Sequence, residues 1–118
     1  MRVHIQNGQI WQEDRFCARD LILEDEKIVY AGSAVAPQAG DTVISAAGKY
    51  IVPGVIDCHA HVTMIGGSHH MATFFAENEC ELALEGVLNC EKMARHGITS
   101  ARDCGGKNRE TLALRDFI

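Results

Sequence analysis

Val52-Pro53-Gly54-Val55-Ile56-Asp57-Cys58-His59-Ala60-His61 lies near the middle of the chain, and from Val55 to Val62 the side chains divide by parity. Ile56, Cys58, Ala60 and Val62 are small or apolar, whereas Asp57, His59 and His61 are polar. A β-strand sends alternate side chains to opposite faces. The division therefore predicts a strand with one face packed under helices and the other presenting a carboxylate and two imidazoles. Histidines at i and i+2 on a strand point the same way with backbones about 7 Å apart, from a rise of roughly 3.3 Å per residue. Each ring nitrogen can then reach one cation at about 2.0–2.1 Å, the usual zinc–imidazole distance. A glycine-rich loop, Ile65-Gly66-Gly67-Ser68, follows the C-terminal end of the strand, where α/β proteins place their sites.

Downstream, Cys80, Ala83, Leu84, Val87, Cys90 and Ala94 recur at helical spacing and predict a helix over residues 77–95. Asn78 with Glu81 after it supplies a start signal, and Gly97 suits the C′ position. Ile98–Arg102 reads as another strand, closed by Asp103-Cys104-Gly105-Gly106, and Thr111–Ile118 as the opening of a further helix. Strand, helix, strand, helix is the rhythm of a βαβ unit with parallel strands. Upstream, residues 1–50 read as short strands. Val3 and Ile5 run into Asn7-Gly8, a strong two-residue hairpin signal, and Ile10-Trp11 begins the return strand. A second hairpin joins Leu21-Ile22-Leu23 to Ile28-Val29-Tyr30 through the acidic tip Glu24-Asp25-Glu26-Lys27, and Thr42–Ser45 adds one more strand.

Composition narrows the function. With 47% hydrophobic residues in 118, the chain is one ordinary domain's worth of globular sequence. Its 11 Lys+Arg against 16 Asp+Glu give a net charge of −5 and no basic patch, which argues against a nucleic-acid partner. The longest strongly apolar run, around Tyr50–Ile56, is far short of the roughly 20 residues of a spanning helix, so no membrane role is expected. Met1–Trp11 holds no apolar signal core, and the 5 cysteines show no C-x-x-C. A reduced, cytoplasmic chain follows, with most thiols acting as small buried hydrophobes.

The 52–61 stretch resembles the first-strand signature of the amidohydrolase superfamily, metal-dependent hydrolases built on a (β/α)8 TIM barrel. Gly97-Ile98-Thr99-Ser100-Ala101-Arg102-Asp103-Cys104-Gly105-Gly106 resembles the second barrel strand of the imidazolonepropionase-like and Xaa-Pro dipeptidase-like branch. The hairpin Leu21–Gly32 is similar to part of the small β-sandwich that the family forms at its N-terminus. The resemblance implies an α/β protein with β-sandwich strands over 1–50 and the first two β/α units of a barrel over 51–118. That barrel is expected to be truncated, because a complete one takes about 200–250 residues.

His59 and His61 match the pair that holds the more buried metal ion in the family. There, a lysine on the fourth strand, histidines on the fifth and sixth, and an aspartate on the eighth complete the site. The general-base aspartate is thus expected beyond residue 118, and the cofactor is expected to be one or two divalent ions, zinc by preference. The complete enzyme is expected to hydrolyse an amide-type C–N bond of a dipeptide, N-acyl amino acid or cyclic amide with a metal-activated water. The 118-residue chain alone is expected to be inactive.

Other residues carry paired readings. Asp57 either orients a ligand histidine or makes an ordinary strand-end hydrogen bond. His69 and His70 either contact substrate or sit in a mobile polar loop, the simpler reading. At the end of the second strand, Arg102 either meets a substrate carboxylate or pairs internally with Asp103. His96 is expected to complement a helix dipole, His4 to be an exposed strand residue, and Cys58 to pack against helices. A small-molecule substrate is the expected partner, together with self-association as a homo-oligomer or through exposed barrel edges. The rival expectation is a catalytically incomplete fragment that serves only as an assembly or metal-binding module.

Overall fold

In the computed structural model, which describes residues 1–118, the chain divides into two compact units, Met1–Pro53 and Gly54–Ile118. The first is built around strand β1 (Arg2–Gln12), with β2 (Arg15–Glu24), β3 (Lys27–Gly32), β4 (Thr42–Ser45) and β5 (Tyr50–Ile51). These form one five-stranded sheet in the order β3-β2-β1-β4, with β5 also on β1. β2 is antiparallel to β1 and β3, while β4 and β5 run parallel to successive parts of β1. The strands expected over residues 1–50 thus join one sheet, with β4 and β5 sharing one side of β1.

Asn7-Gly8 is not a hairpin turn. β1 runs through it with a β-bulge between Ile5 and Gly8, and the reversal comes later, at Glu13-Asp14. Asn7 (φ 62°), Glu13 (φ 54°) and Asp14 (φ 57°) all adopt the left-handed conformation. Asn tolerates that region well, and bulges use it as readily as primed turns do. On the other side of β1 the chain detours around the bulge. Ala46 N–H donates to the Gln6 carbonyl at 2.8 Å and Gln9 N–H to that of Lys49 at 3.0 Å. Gly8 leaves room for the Ile51 side chain, since a Cβ would lie 2.5 Å from Ile51 Cδ1 and 3.2 Å from Ala46 Cβ.

His4 is fully buried rather than exposed. Its Nε2–H donates to Asp20 Oδ2 at 3.1 Å, and its Nδ1 stands 3.8 Å from Asp41 Oδ2. Asp20 also accepts the backbone N–H groups of Asn7 (3.2 Å) and Val35 (3.1 Å), and Asp41 takes a bidentate pair from Arg2 at 2.7 Å each. Burial pushes the Asp20 carboxyl up, but the Val35 and Asn7 N–H groups and His4 outweigh it and hold it below its usual range. The Gln38 N–H holds Asp41 low against burial, helped by the Arg2 guanidinium and His4.

The second unit comprises β6 (Val55–Ala60), α1 (His70–Ala76), α2 (Glu79–Arg95), β7 (Ile98–Asp103) and α3 (Glu110–Phe117). β6 and β7 pair in parallel, joined by the two helices. Asn78 caps α2 with a complete capping box: its side chain accepts from Cys80 and Glu81 N–H, and Glu81 accepts from Asn78 N–H at 2.8 Å. Such a cap satisfies donors that a helix start otherwise leaves unpaired. Leu82 on α2 is 0% exposed, and Ala60, Val62 and Leu114 form a buried cluster with Cys90 and Met93 against it.

The thiols are not buried: Cys58, Cys80 and Cys104 are exposed, Cys17 and Cys90 half-buried, and all are unpaired. Cys58 is exposed rather than packed under helices, as is Ile56, 65% exposed, on the same strand. No helix is long and apolar enough to cross a membrane.

Candidate metal site

The C-terminal ends of β6 and β7 bring the polar residues together. The rings of His59 and His61 have centroids 5.5 Å apart at an interplanar angle of 65°, and both side chains are exposed. β6 ends at Ala60, with a register irregularity against β7 between Asp57 and Ala60, so His61 projects from the first residue beyond the strand. His61 Nδ1 lies 3.1 Å from the Gly105 carbonyl. A carbonyl only accepts, so the proton sits on Nδ1 and the Nε2 lone pair is left free. That tautomer is the one a metal-binding imidazole needs, with its second nitrogen tied to the protein.

Backbone bonds lock the two strand ends. Cys104 N–H donates to the Ala60 carbonyl at 2.8 Å, and Asp103 Oδ1 accepts the Val62 N–H at 3.1 Å. Asp103 is therefore engaged with the backbone, and Arg102, exposed, forms no ion pair with it. Asp57 Oδ1 accepts the His59 N–H at 3.0 Å, which fixes the peptide that carries the first histidine.

Beyond the strand, residues 64–67 and α1 border an open hollow of about 630 Å³, lined by His61, Met64, Gly67, His70 and Met71 among others. His69 is the N-cap residue of α1 and His70 its first residue, whose Nδ1–H donates to the Gly67 carbonyl at 2.7 Å. His96 caps the end of α2, donating Nδ1–H to the Lys92 carbonyl at 2.7 Å. That placement satisfies one of the carbonyls that a helix C-terminus leaves open.

Two imidazoles on one strand end, one of them tautomer-fixed, suit a divalent cation. No three His, Cys, Asp or Glu side chains of the chain converge on a common point. Lys107 and Glu110, which hold the loop after β7, were not singled out by the sequence. The Lys107 ammonium reaches carbonyls at the end of α1, 30 and 32 residues away, beyond any local pattern, while Glu110 accepts N–H groups of its own loop.

A β-rich unit followed by parallel β/α units, with polar side chains gathered at the C-terminal strand ends, defines a mixed α/β protein. The profile of the amidohydrolase family matches residues 50–116, and the chain belongs to that family. It is 32% identical over 105 residues to a D-hydantoinase of Ralstonia pickettii, covering 86% of the chain and 22% of that protein. Over 61 residues it is 39% identical to a dihydroorotase of Lactobacillus helveticus, covering 52% of the chain and 14% of that protein. Among solved structures, a Xaa-Pro dipeptidase with bound methionine superposes with a TM-score of 0.82 at 19% identity, over 98% of the chain and 29% of that protein. Molinate hydrolase gives 0.80 at 20% identity, over 98% and 26%. At such identities the likeness is one of fold. The chain spans under a third of the length of these relatives.

Proposed function

We propose that this chain forms the opening part of a metal-dependent amidohydrolase, residues 1–50 supplying β-sandwich strands and residues 51–118 the first β/α units of a TIM barrel. His59 and His61 hold a divalent cation, zinc by preference, in one- or two-metal form. The observation that carries the reading is the paired His59 and His61 rings, with His61 Nδ1 donated to the Gly105 carbonyl. When bound, the cation lowers the pKa of water and polarises a scissile carbonyl. The chain's own residues prepare for this. His61 keeps its Nε2 lone pair free, Asp57 fixes the His59 peptide, and Asp103 fixes the start of the segment that leaves the strand. A third ligand and a general base are needed beside His59 and His61 to complete such a site.

The reaction is hydrolysis of an amide-type C–N bond in a small molecule. A cyclic amide is favoured over a dipeptide or N-acyl amino acid, because the likeness to a hydantoinase extends over 86% of the chain. A reduced, cytoplasmic setting fits the 5 free cysteines. Self-association through the open edges of β6 and β7 fits the exposed Val55 and Ile56.

The test is a zinc-supplemented assay of residues 1–118 joined to the remaining barrel units of a hydantoinase, against a hydantoin, dihydroorotate and a Xaa-Pro dipeptide. Cyclic-amide hydrolysis that is abolished by a chelator, restored by zinc and lost in His59→Ala is the expected result. Hydrolysis indifferent to both chelator and His59→Ala, or no hydrolysis of any of the three, overturns the proposal.

A further inference from the structure

The loop between β7 and α3 makes contacts that the proposed chemistry does not use. The Lys107 ammonium donates to the Phe75 carbonyl at 2.9 Å and to the Glu77 carbonyl at 2.9 Å, the open C-terminal end of α1. A cation at that position satisfies two orphan carbonyls and complements the helix dipole. Glu110, only 2% exposed, grips the same loop from below: its carboxylate accepts the backbone N–H groups of Lys107 and Asn108, the latter at 2.8 Å. Although burial pushes the Glu110 carboxyl up, the N–H groups of Asn108, Glu110 and Lys107 and the Lys107 charge hold it below its usual range. Gly106 lets the backbone come this close, since a Cβ there would collide with the Glu110 carboxylate and Thr111.

These contacts join into one circuit. His61 bonds the Gly105 carbonyl, and Gly105 is two residues from Lys107. Lys107 holds the end of α1, and α1 begins at His70, which bonds Gly67 across the hollow from His61. We propose that Lys107 is a positioning residue: by clasping the end of α1 to the Gly105 loop, it fixes the His61 imidazole and the α1 wall of the hollow in one geometry. The clasp rests on the metal-site reading for its purpose, and its existence is measurable without any metal.

The experiment compares wild type, Lys107→Met and Lys107→Arg by nitrogen-15 NMR of the imidazoles, amide exchange of α1 and titration with cobalt(II). In wild type the His61 proton resides on Nδ1. In Lys107→Met, that signature is expected to give way to averaged tautomers, exchange of α1 amides to rise about tenfold, and the cobalt Kd to rise. Exchange in β2 and α2 should stay unchanged, which separates loss of the clasp from global unfolding. Lys107→Arg, which keeps the charge and the donors, restores all three. An unchanged His61 tautomer and α1 exchange in Lys107→Met overturn the clasp. Loss of those signatures with an unaltered cobalt Kd overturns its positioning role. No cobalt binding by wild type, with the clasp signatures intact, overturns the metal-site reading instead.

Discussion

The two units treat polar side chains in opposite ways. In Met1–Pro53 the charged groups are turned inward and spent on one another: His4 on Asp20, Arg2 on Asp41, and two backbone N–H groups on Asp20. In Gly54–Ile118 the histidines stay exposed, and where a ring nitrogen is engaged its partner is a backbone carbonyl, as for His61, His70 and His96. A carbonyl partner fixes a tautomer and leaves the other nitrogen free for a ligand, whereas a buried carboxylate partner removes the ring from further chemistry. The first unit, with one histidine, therefore reads as scaffold, and the second, with five, as the candidate site.

The comparison breaks most visibly at Asp20. Asp20→Ala strands a fully buried imidazole and two backbone donors, and should cost about 3–5 kcal/mol in urea unfolding. A loss under 1 kcal/mol would mean that the inward network is not what holds the first unit. Leu82→Ala probes the second unit, whose cohesion is apolar. Its side chain is 0% exposed on α2, and truncation should cost about 3 kcal/mol by the same measurement.

Acid sharpens the contrast further. Asp20 and Asp41 have ordinary values of 3.8 and Glu110 of 4.5, and each is held lower in the fold. The unfolded chain therefore takes up protons first as pH falls. The stabilisation these groups give is complete above those ordinary values and is lost as pH drops through the lowered folded ones. Thermal melting followed from pH 6 to pH 2 should show Tm falling only in the acid limb, and Asp20→Asn should flatten part of that fall. The smallest effect is expected at Asn78→Ala, which removes the capping box of α2 for about 1 kcal/mol.

What the sequence made legible follows the range of the forces involved. Parity from Val55 to Val62 and the Asn78–Glu81 cap are local, and they located the strand that bears His59 and His61 and the start of α2 within a residue or two. Asn7-Gly8 misled because positive φ at Asn serves a bulge as well as a turn, while the true turn at Glu13-Asp14 carries no such residue pair. The helix α1 escaped notice since it is 7 residues long and its N-cap, His69, makes no side-chain cap. His4 could not be read as buried, because its burial depends on Asp20, 16 residues away, and on the later Asp41. Lys107 belongs with it, as a contact that exists only after the chain has folded back on α1.

The central claim, that His59 and His61 are a metal-binding pair, is tested most directly by isothermal titration of the metal-stripped protein with zinc, beside the His59→Ala/His61→Ala variant. Zinc binding by wild type that the double variant loses, at unchanged urea stability, is the expected result. Equal zinc binding by both, or none by wild type, would contradict it.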